Sequence, residues 1–374
     1  NETFTGQVKL ESSTELLDKE PILDSQLLRL LTWSAQYYQF PIGEVMQTAL
    51  PTLLRQGRGL DILFQQWQII AHDNPEALLK RSIKQFDAYQ VLKLHPHGAT
   101  ENVLNLSGVE TATLRALEKK GLLECRLEQH DFSPSPVQLA QVPLIPNPDQ
   151  KHAIQQILKA QQHYQAFLLY GLTGSGKTEV YLQVMYEVLK QGKQVLVLVP
   201  EIGLTPQTVA RFKSRFHCDV ALLHSGLNDS KRLQAWQHAQ KGKASIIIGT
   251  RSAIYTPLPH LGLIILDEEH DLSYKQQEGF RYHARDIALY RGHLHHCPVI
   301  LGSATPSIES YHLVELGKLH LLELNQRAGA AVLPKMQLID LKIAKKKHGM
   351  SQTLINHIKH TLERKEQVLI FLNR

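Results

Sequence analysis

From residue 150 onward, short apolar runs recur at 167–169, 194–199, 220–223, 245–248, 263–266 and 299–301, and amphipathic stretches such as 180–189 separate them. Apolar runs of this length, rich in Val, Ile and Leu, suit strands buried on both faces, and their alternation with helical patterns predicts a mostly parallel sheet covered by helices. The expected fold class is therefore α/β. After 332 the series starts again, with a strand pattern at 336–340, a helix at 352–363 and a strand at 367–372, so a second α/β domain is expected to begin there and to be interrupted.

Upstream the pattern changes. In residues 22–55, Asp24 or Ser25 can cap a helix whose Leu27, Leu28, Leu31, Ala35 and Tyr38 share one face. Trp33, Tyr37, Tyr38 and Phe40 suit either base stacking or core packing. Pro41, Pro51 and the Gly-rich run at 56–59 suggest a linker. Residues 101–106, a turn at Ser107 and Gly108, 110–120 and 121–125 read as helix, turn, helix, strand, which fits a small winged helix and equally a helical hairpin. Prolines at 134, 136, 143, 146 and 148 then predict an extended linker. The expected domains are 1–58, 59–140, 141–332 and 333–374.

Candidate chemistry enters at the first strand end. Gly171-Leu-Thr-Gly-Ser-Gly-Lys177-Thr178 joins a strand to a helix. Its glycines let backbone N–H groups converge on a triphosphate, Lys177 reaches the β- and γ-phosphates, and the Thr178 hydroxyl suits Mg²⁺. Gly171, Thr173, Gly174, Ser175 and Gly176 complete this cradle, which makes the α/β region a RecA-like P-loop lobe. The run 263–266 ends in Asp267-Glu268-Glu269-His270, where Asp267 would hold Mg²⁺ and Glu268 would polarise the attacking water. Gly302-Ser303-Ala304-Thr305 follows another strand, so Ser303 and Thr305 suit either sensing of the γ-phosphate or the start of a capped helix. Thr250, Arg251 and Ser252 stand at a further strand end and suit a phosphodiester backbone. The stretch 274–283 interleaves Tyr274, Lys275, Phe280, Arg281 and Tyr282, the composition of sequence-tolerant stacking on single strands.

Composition narrows the setting. The 374 residues are 43% hydrophobic and carry a net charge of +6 with 20 histidines, which suits a polyanionic partner. Three scattered cysteines encode neither a disulfide framework nor a paired zinc motif, so a cytoplasmic home is expected, without a membrane partner. His293 and Cys297 could be drawn as a metal pair, but a solvated histidine-rich turn is the reading preferred here. The chain lacks a starting Met and stops directly after a strand pattern, so it is expected to be an excerpt, cut at both ends.

Three strand-end loops beside a nucleotide site resemble a superfamily-two helicase. The runs 199–207, 223–230, 248–253, 267–271, 273–279 and 281–286 narrow the resemblance to the PriA family of primosomal replication-restart helicases, over about 150–374 motif by motif and less specifically over 22–130. The resemblance implies a bacterial, nucleoid-associated, ATP-driven helicase moving 3′ to 5′ on single-stranded and forked DNA, working with primosome proteins and single-strand-binding protein. The competing expectation is a double-stranded DNA translocase that does not unwind. By family motif, Gln150 would contact adenine, and His270, Ser303 and Thr305 would couple hydrolysis to movement. The resemblance also makes 1–58 the remnant of a 3′-end DNA-binding domain. It puts the family's zinc ligands and arginine finger beyond Arg374, so the fragment alone is expected to be nearly inactive.

Overall fold

In the computed structural model of this chain the described residues are 21–58, most of 64–128, 137–327 and most of 335–371. Three N-terminal helices come first: α1 (Ser25–Tyr37), α2 (Ile42–Ala49) and α3 (Thr52–Arg55). Asp24 caps α1 by accepting from Leu27 N. The helices do not form a unit of their own. Leu27, Leu30, Leu31, Val45 and Leu54 belong to the same apolar core as strand residues Leu196, Ile247 and Ile264 of the central sheet. The expected boundary at 58 is thus not a boundary in the packing, because α1 packs against α2 and against the lobe helix at Ala284–His295.

The smaller domain contains β1 (Phe64–Ile69), α4 (Pro75–Leu79), α5 (Ile83–Lys93), β2 (Ala99–Thr100), α6 (Thr111–Lys119) and β3 (Leu123–Glu128). Its strands form an antiparallel sheet in the order β2-β1-β3, and Trp67, Tyr89, Leu92, Leu114 and Leu117 fill a separate core. This arrangement favours the winged-helix-like reading over a bare hairpin. The helix expected at 101–106 lies almost wholly outside the described residues.

Next, β4 (Gln138–Leu139) pairs antiparallel with β7 (Phe216–His217), so this stretch belongs to the larger lobe. The Pro-rich segment that follows is tied down rather than a free linker. Arg215 Nη1 donates to Val142 O at 3.1 Å, Leu144 N to Glu179 Oε1 at 3.1 Å, and Gln183 Nε2 to Leu144 O at 2.8 Å. Arg215 and Glu179, both nearly buried, pair with each other. Prolines make the strap extended, but side chains from distant helices hold it.

The lobe itself is a seven-stranded sheet. Its strands are β5 (Ala166–Gly171), β6 (Gln194–Leu198), β8 (Val220–Leu223), β9 (Ile246–Gly249), β10 (Leu261–Asp267), β11 (Val299–Ser303) and β12 (His320–Leu324). Every pairing is parallel, in the order β12-β5-β11-β10-β6-β9-β8. Alternate residues pack on opposite faces: Leu196, Leu198, Ile264 and Leu266 on one, Val195, Val197, Leu263 and Ile265 on the other. The second face is covered by α7 (Pro148–Lys159), α8 (Lys177–Leu189) and α9 (Pro206–Arg215). The first carries α10 (Asp229–Gln240) and α11 (Ala284–His295), together with the N-terminal helices. β12 was not foreseen, because His320 and Glu323 break its apolar run at the sheet edge. α12 (Ile308–Glu315) precedes it, capped by Ser307.

Residues 329–374 form a second compact unit, close to the expected boundary at 333. It contains a short hairpin of β13 (Lys346–Lys347) and β14 (Met350–Ser351), and α13 (Gln352–Glu363) capped by Ser351. The strands expected at 336–340 and 367–372 are corrected: the described parts form no strand and pair with none, with Met336 88% and Leu369 96% exposed. A strand needs a neighbour to satisfy its backbone, and the described residues of this unit offer none. Residue 372 lies outside them.

Candidate functional site

β5 runs into the glycine-rich turn, and Gly176 at φ +84° opens α8. Gly174 also stands at φ +84°, with no atom within 4 Å of where a Cβ would project, so the crest of the loop is clear. Thr173, Gly174, Gly176, Lys177, Thr178, Asp267 and Glu268 line one cavity of about 670 Å³ together with strap residues Gln141, Val142 and Leu144. Lys177 Nζ donates to Gly171 O at 2.6 Å. Burial pushes its ammonium below the usual lysine range, and Glu268 and then Asp267 oppose that shift. Ser175 Oγ is buried without a partner. An open crest, a half-desolvated ammonium and two facing carboxylates fit a magnesium-bound triphosphate.

The acidic end is held from beneath. Tyr181, on α8 and 1% exposed, donates its hydroxyl to Asp267 Oδ1 at 3.0 Å. Burial, then Glu268, raise the Asp267 carboxyl above its usual range, while Tyr181 and Lys177 lower it. The Tyr274 hydroxyl lies 2.6 Å from Asp267 O and 3.0 Å from Leu198 O, pinning the end of β10 to β6. Glu268 adopts φ +48°, a left-handed conformation that costs a non-glycine residue about 1 to 3 kcal/mol. Backbone bonds from Glu269 N to Gly302 O and from Asp271 N to Glu268 O hold it there. Thr178 and Asp267 would hold Mg²⁺, which would supply positive charge against the phosphates.

The three residues assigned to coupling come together. His270 Nδ1 lies 2.8 Å from Ser303 Oγ and 3.7 Å from Glu268 Oε2, and Thr305 N donates to Ser303 Oγ at 2.9 Å. Behind them Glu269, 1% exposed, accepts from Ser307 N at 2.7 Å and from the hydroxyls of Ser307 and Ser310 at 3.1 and 2.6 Å. Arg285 Nη1 stands 3.7 Å from Glu269 Oε2 and donates to Ser307 Oγ at 3.0 Å. Ser307 therefore caps α12 and also ties that helix to the acidic strand end. Removing the Arg285 cation leaves a buried carboxylate uncompensated, so Arg285→Ala is expected to lower unfolding free energy by about 3 to 5 kcal/mol, read by chemical denaturation.

Several expected contacts are corrected by burial. Tyr274 (0% exposed), Phe280 (7%) and Tyr282 (1%) are core residues here, not a stacking platform. Phe280 packs against Tyr38, Phe40, Tyr255 and Tyr282, and Trp33 stacks on Tyr290 at 4.0 Å, which favours the packing reading for Trp33, Tyr38 and Phe40, whereas Tyr37 is exposed. Of that stretch, Arg281 stays exposed and Lys275 half-buried. Thr250 is buried and Ser252 exposed, while Arg251 Nη1 donates to Ser273 O and Lys275 O, both at 2.8 Å, so that nitrogen braces the neighbouring loop. Gln150, expected on adenine, uses its amide inside the protein: Nε2 donates to Ser175 O and Oε1 accepts from Asn147 N, each at 2.9 Å. The amide thus braces the P-loop from a capping box at the start of α7.

Comparison with known proteins agrees with the geometry. The DEAD/DEAH box helicase family matches residues 147–314, and the 3′DNA-binding domain (3′BD) of PriA matches residues 2–51. Replication restart protein PriA of Haemophilus influenzae is 42% identical over 98% of this chain and 51% of its own length. The Chlamydia pneumoniae protein of that name is 40% identical over 100% of this chain and 52% of its own length, and that of Bacillus subtilis 38% identical over 80% and 38%. The chain belongs to the PriA family. It spans about half the length of the first two of these relatives.

Within this PriA-family chain, no local pattern marks Tyr181, Arg285 or the Glu179–Arg215 pair, whose partners lie on other elements of the fold. An aromatic on the buried face of the P-loop helix looks like any core residue until its hydroxyl finds Asp267. At the histidine-rich turn, burial, with Arg291 adding to it, pushes His295 down to about 3, and His293 lies edge-on to Tyr164. Among the described residues no group of three His, Cys, Asp or Glu side chains could share a metal ion, and no helix is long and apolar enough to cross a membrane.

Proposed function

We propose that this chain carries the ATP-binding lobe and part of the DNA-binding apparatus of a 3′-to-5′ DNA helicase. It would act in replication restart at stalled forks and recombination intermediates, where it helps load the replicative helicase. The carrying observation is the convergence of Lys177, Thr178, Asp267 and Glu268 on one cavity, with His270, Ser303 and Thr305 bonded behind Glu268. Lys177 would bind the β- and γ-phosphates and Glu268 would take the proton of the attacking water. Loss of the γ-phosphate would change the hydrogen bonds around Ser303. The polarity, the primosome and single-strand-binding partners, the bacterial cytoplasmic setting beside the nucleoid and a zinc site outside this chain rest on family membership.

Duplex translocation without unwinding is the second reading, favoured by the burial of Tyr274, Phe280 and Tyr282, which leaves backbone contacts dominant. Strand displacement by the complete protein on 3′-tailed and blunt duplexes separates the two. ATP turnover with separation of the tailed substrate supports the helicase; turnover without separation supports the translocase. Glu268→Gln is expected to lower DNA-stimulated turnover about 10² to 10⁴-fold while preserving binding of a fluorescent ATP analogue, since general-base catalysis is worth about that much.

A further inference from the structure

A groove of about 390 Å³ opens between the α2–α3 segment and the loops that follow β8 and β9. Its volume is near the bulk of a single nucleotide. One wall is segment 44–55, which carries no helicase motif. The opposite wall carries His224, Arg232, Arg251 and Ser252. The first wall is fixed to the lobe: Val45 and Leu54 are buried in the sheet core, and Trp236 Nε1 donates to Ala49 O at 3.0 Å. Trp236 and Tyr255 form a buried apolar floor, so the groove is apolar below and polar at its rim.

The rim presents donors from both sides. Arg55 at the end of α3 is exposed, and one terminal nitrogen donates to Thr52 Oγ1 at 3.2 Å while the rest of the guanidinium is available. His224 Nδ1 accepts from Gly226 N at 3.2 Å, which leaves the neutral ring with its hydrogen on Nε2 as a donor. Arg232 braces loop carbonyls with one nitrogen and keeps others, while Arg251 braces loop carbonyls with one nitrogen and also bonds the Tyr282 hydroxyl. Glu44 and Glu278 also line the groove, so three guanidiniums face two carboxylates and the balance is cationic.

We infer that this groove holds the phosphodiester backbone of single-stranded DNA, with Arg55 contacting a phosphate from the side opposite Arg251. The N-terminal segment is then a wall of the strand path as well as a link to an end-recognition unit. The inference rests on the DNA-motor reading above and adds a contact that the helicase motifs do not contain.

The test uses the complete protein and a fluorescein-labelled oligothymidine, with anisotropy titrations over a range of salt. Arg55→Glu is expected to weaken binding about tenfold or more and to reduce the slope of log affinity against log salt by about 0.7, the loss of one single-strand phosphate contact. Arg55→Lys should restore most of both. Arg55 is exposed, so an unchanged melting temperature is expected to accompany the loss. Wild-type affinity and slope in Arg55→Glu, alongside weakened binding in Arg251→Ala, overturns the inference and leaves the motor reading standing. If DNA fails to stimulate ATP turnover in the wild-type protein, the motor reading falls and takes the inference with it.

Discussion

Lys177→Ala is expected to remove ATP turnover almost completely, by roughly 10² to 10³-fold or more, in the complete protein with DNA present. The side chain is nearly buried, its Nζ parked on Gly171 O and facing Asp267 and Glu268 across the cavity. A triphosphate brings its β- and γ-oxygens to that cavity, where an ammonium in a half-desolvated setting acts far more strongly than in water. The loss extends beyond the phosphates. Lys177 helps keep Asp267 ionised against its own burial, so its removal also weakens the carboxylate that suits Mg²⁺. Both effects should appear as weaker binding of a fluorescent ATP analogue in the presence of magnesium, with a smaller change when magnesium is withheld. Unchanged DNA-stimulated turnover in this variant would remove Lys177 from the chemistry.

Gly302→Ala should be nearly as damaging, although Gly302 does not line the nucleotide cavity. A Cβ at this position would fall 1.6 Å from the Tyr181 hydroxyl oxygen and 2.8 Å from Tyr181 Cζ. The ring is enclosed by core and has no room to retreat, so the added methyl must drive the hydroxyl off Asp267. Overpacking of this kind costs about 1 to 3 kcal/mol, and a buried hydroxyl stripped of its acceptor costs about 1 to 3 kcal/mol more. The variant should melt earlier and bind magnesium-ATP less tightly. Tyr181→Phe removes the closer of the two clashing atoms and leaves Cζ, so the double variant is expected to recover part of the lost stability while nucleotide binding stays impaired. Additive losses in that double-mutant cycle would show that the two residues act separately.

The sheet and its phosphate loop were legible because strands buried on both faces leave continuous apolar runs, and because a phosphate cradle requires glycines at fixed offsets. The edge strand at His320–Leu324 was not, since its polar residues at 320 and 323 dilute the run. The expected strands at 336–340 and 367–372 had suitable composition but no partner among the described residues, and composition carries no information about partners. Aromatic and cationic residues at 274–283 suit a stacking surface by composition, whereas Tyr274, Phe280 and Tyr282 are core. Their side chains are amphipathic, so the same residues suit a wet surface or a dry interior.

By itself the sequence determined most strands and helices of the lobe, the glycine turn before Lys177 and the acids at the end of β10, because each depends on residues close together along the chain. Tertiary structure alone decided that Tyr181 holds Asp267, that Arg285 balances Glu269, that α1 to α3 share the core of the lobe, and that the Pro-rich strap walls the nucleotide cavity. Those contacts join residues tens to hundreds of positions apart. They depend on which faces the packed sheet buries, and local pattern does not encode that choice.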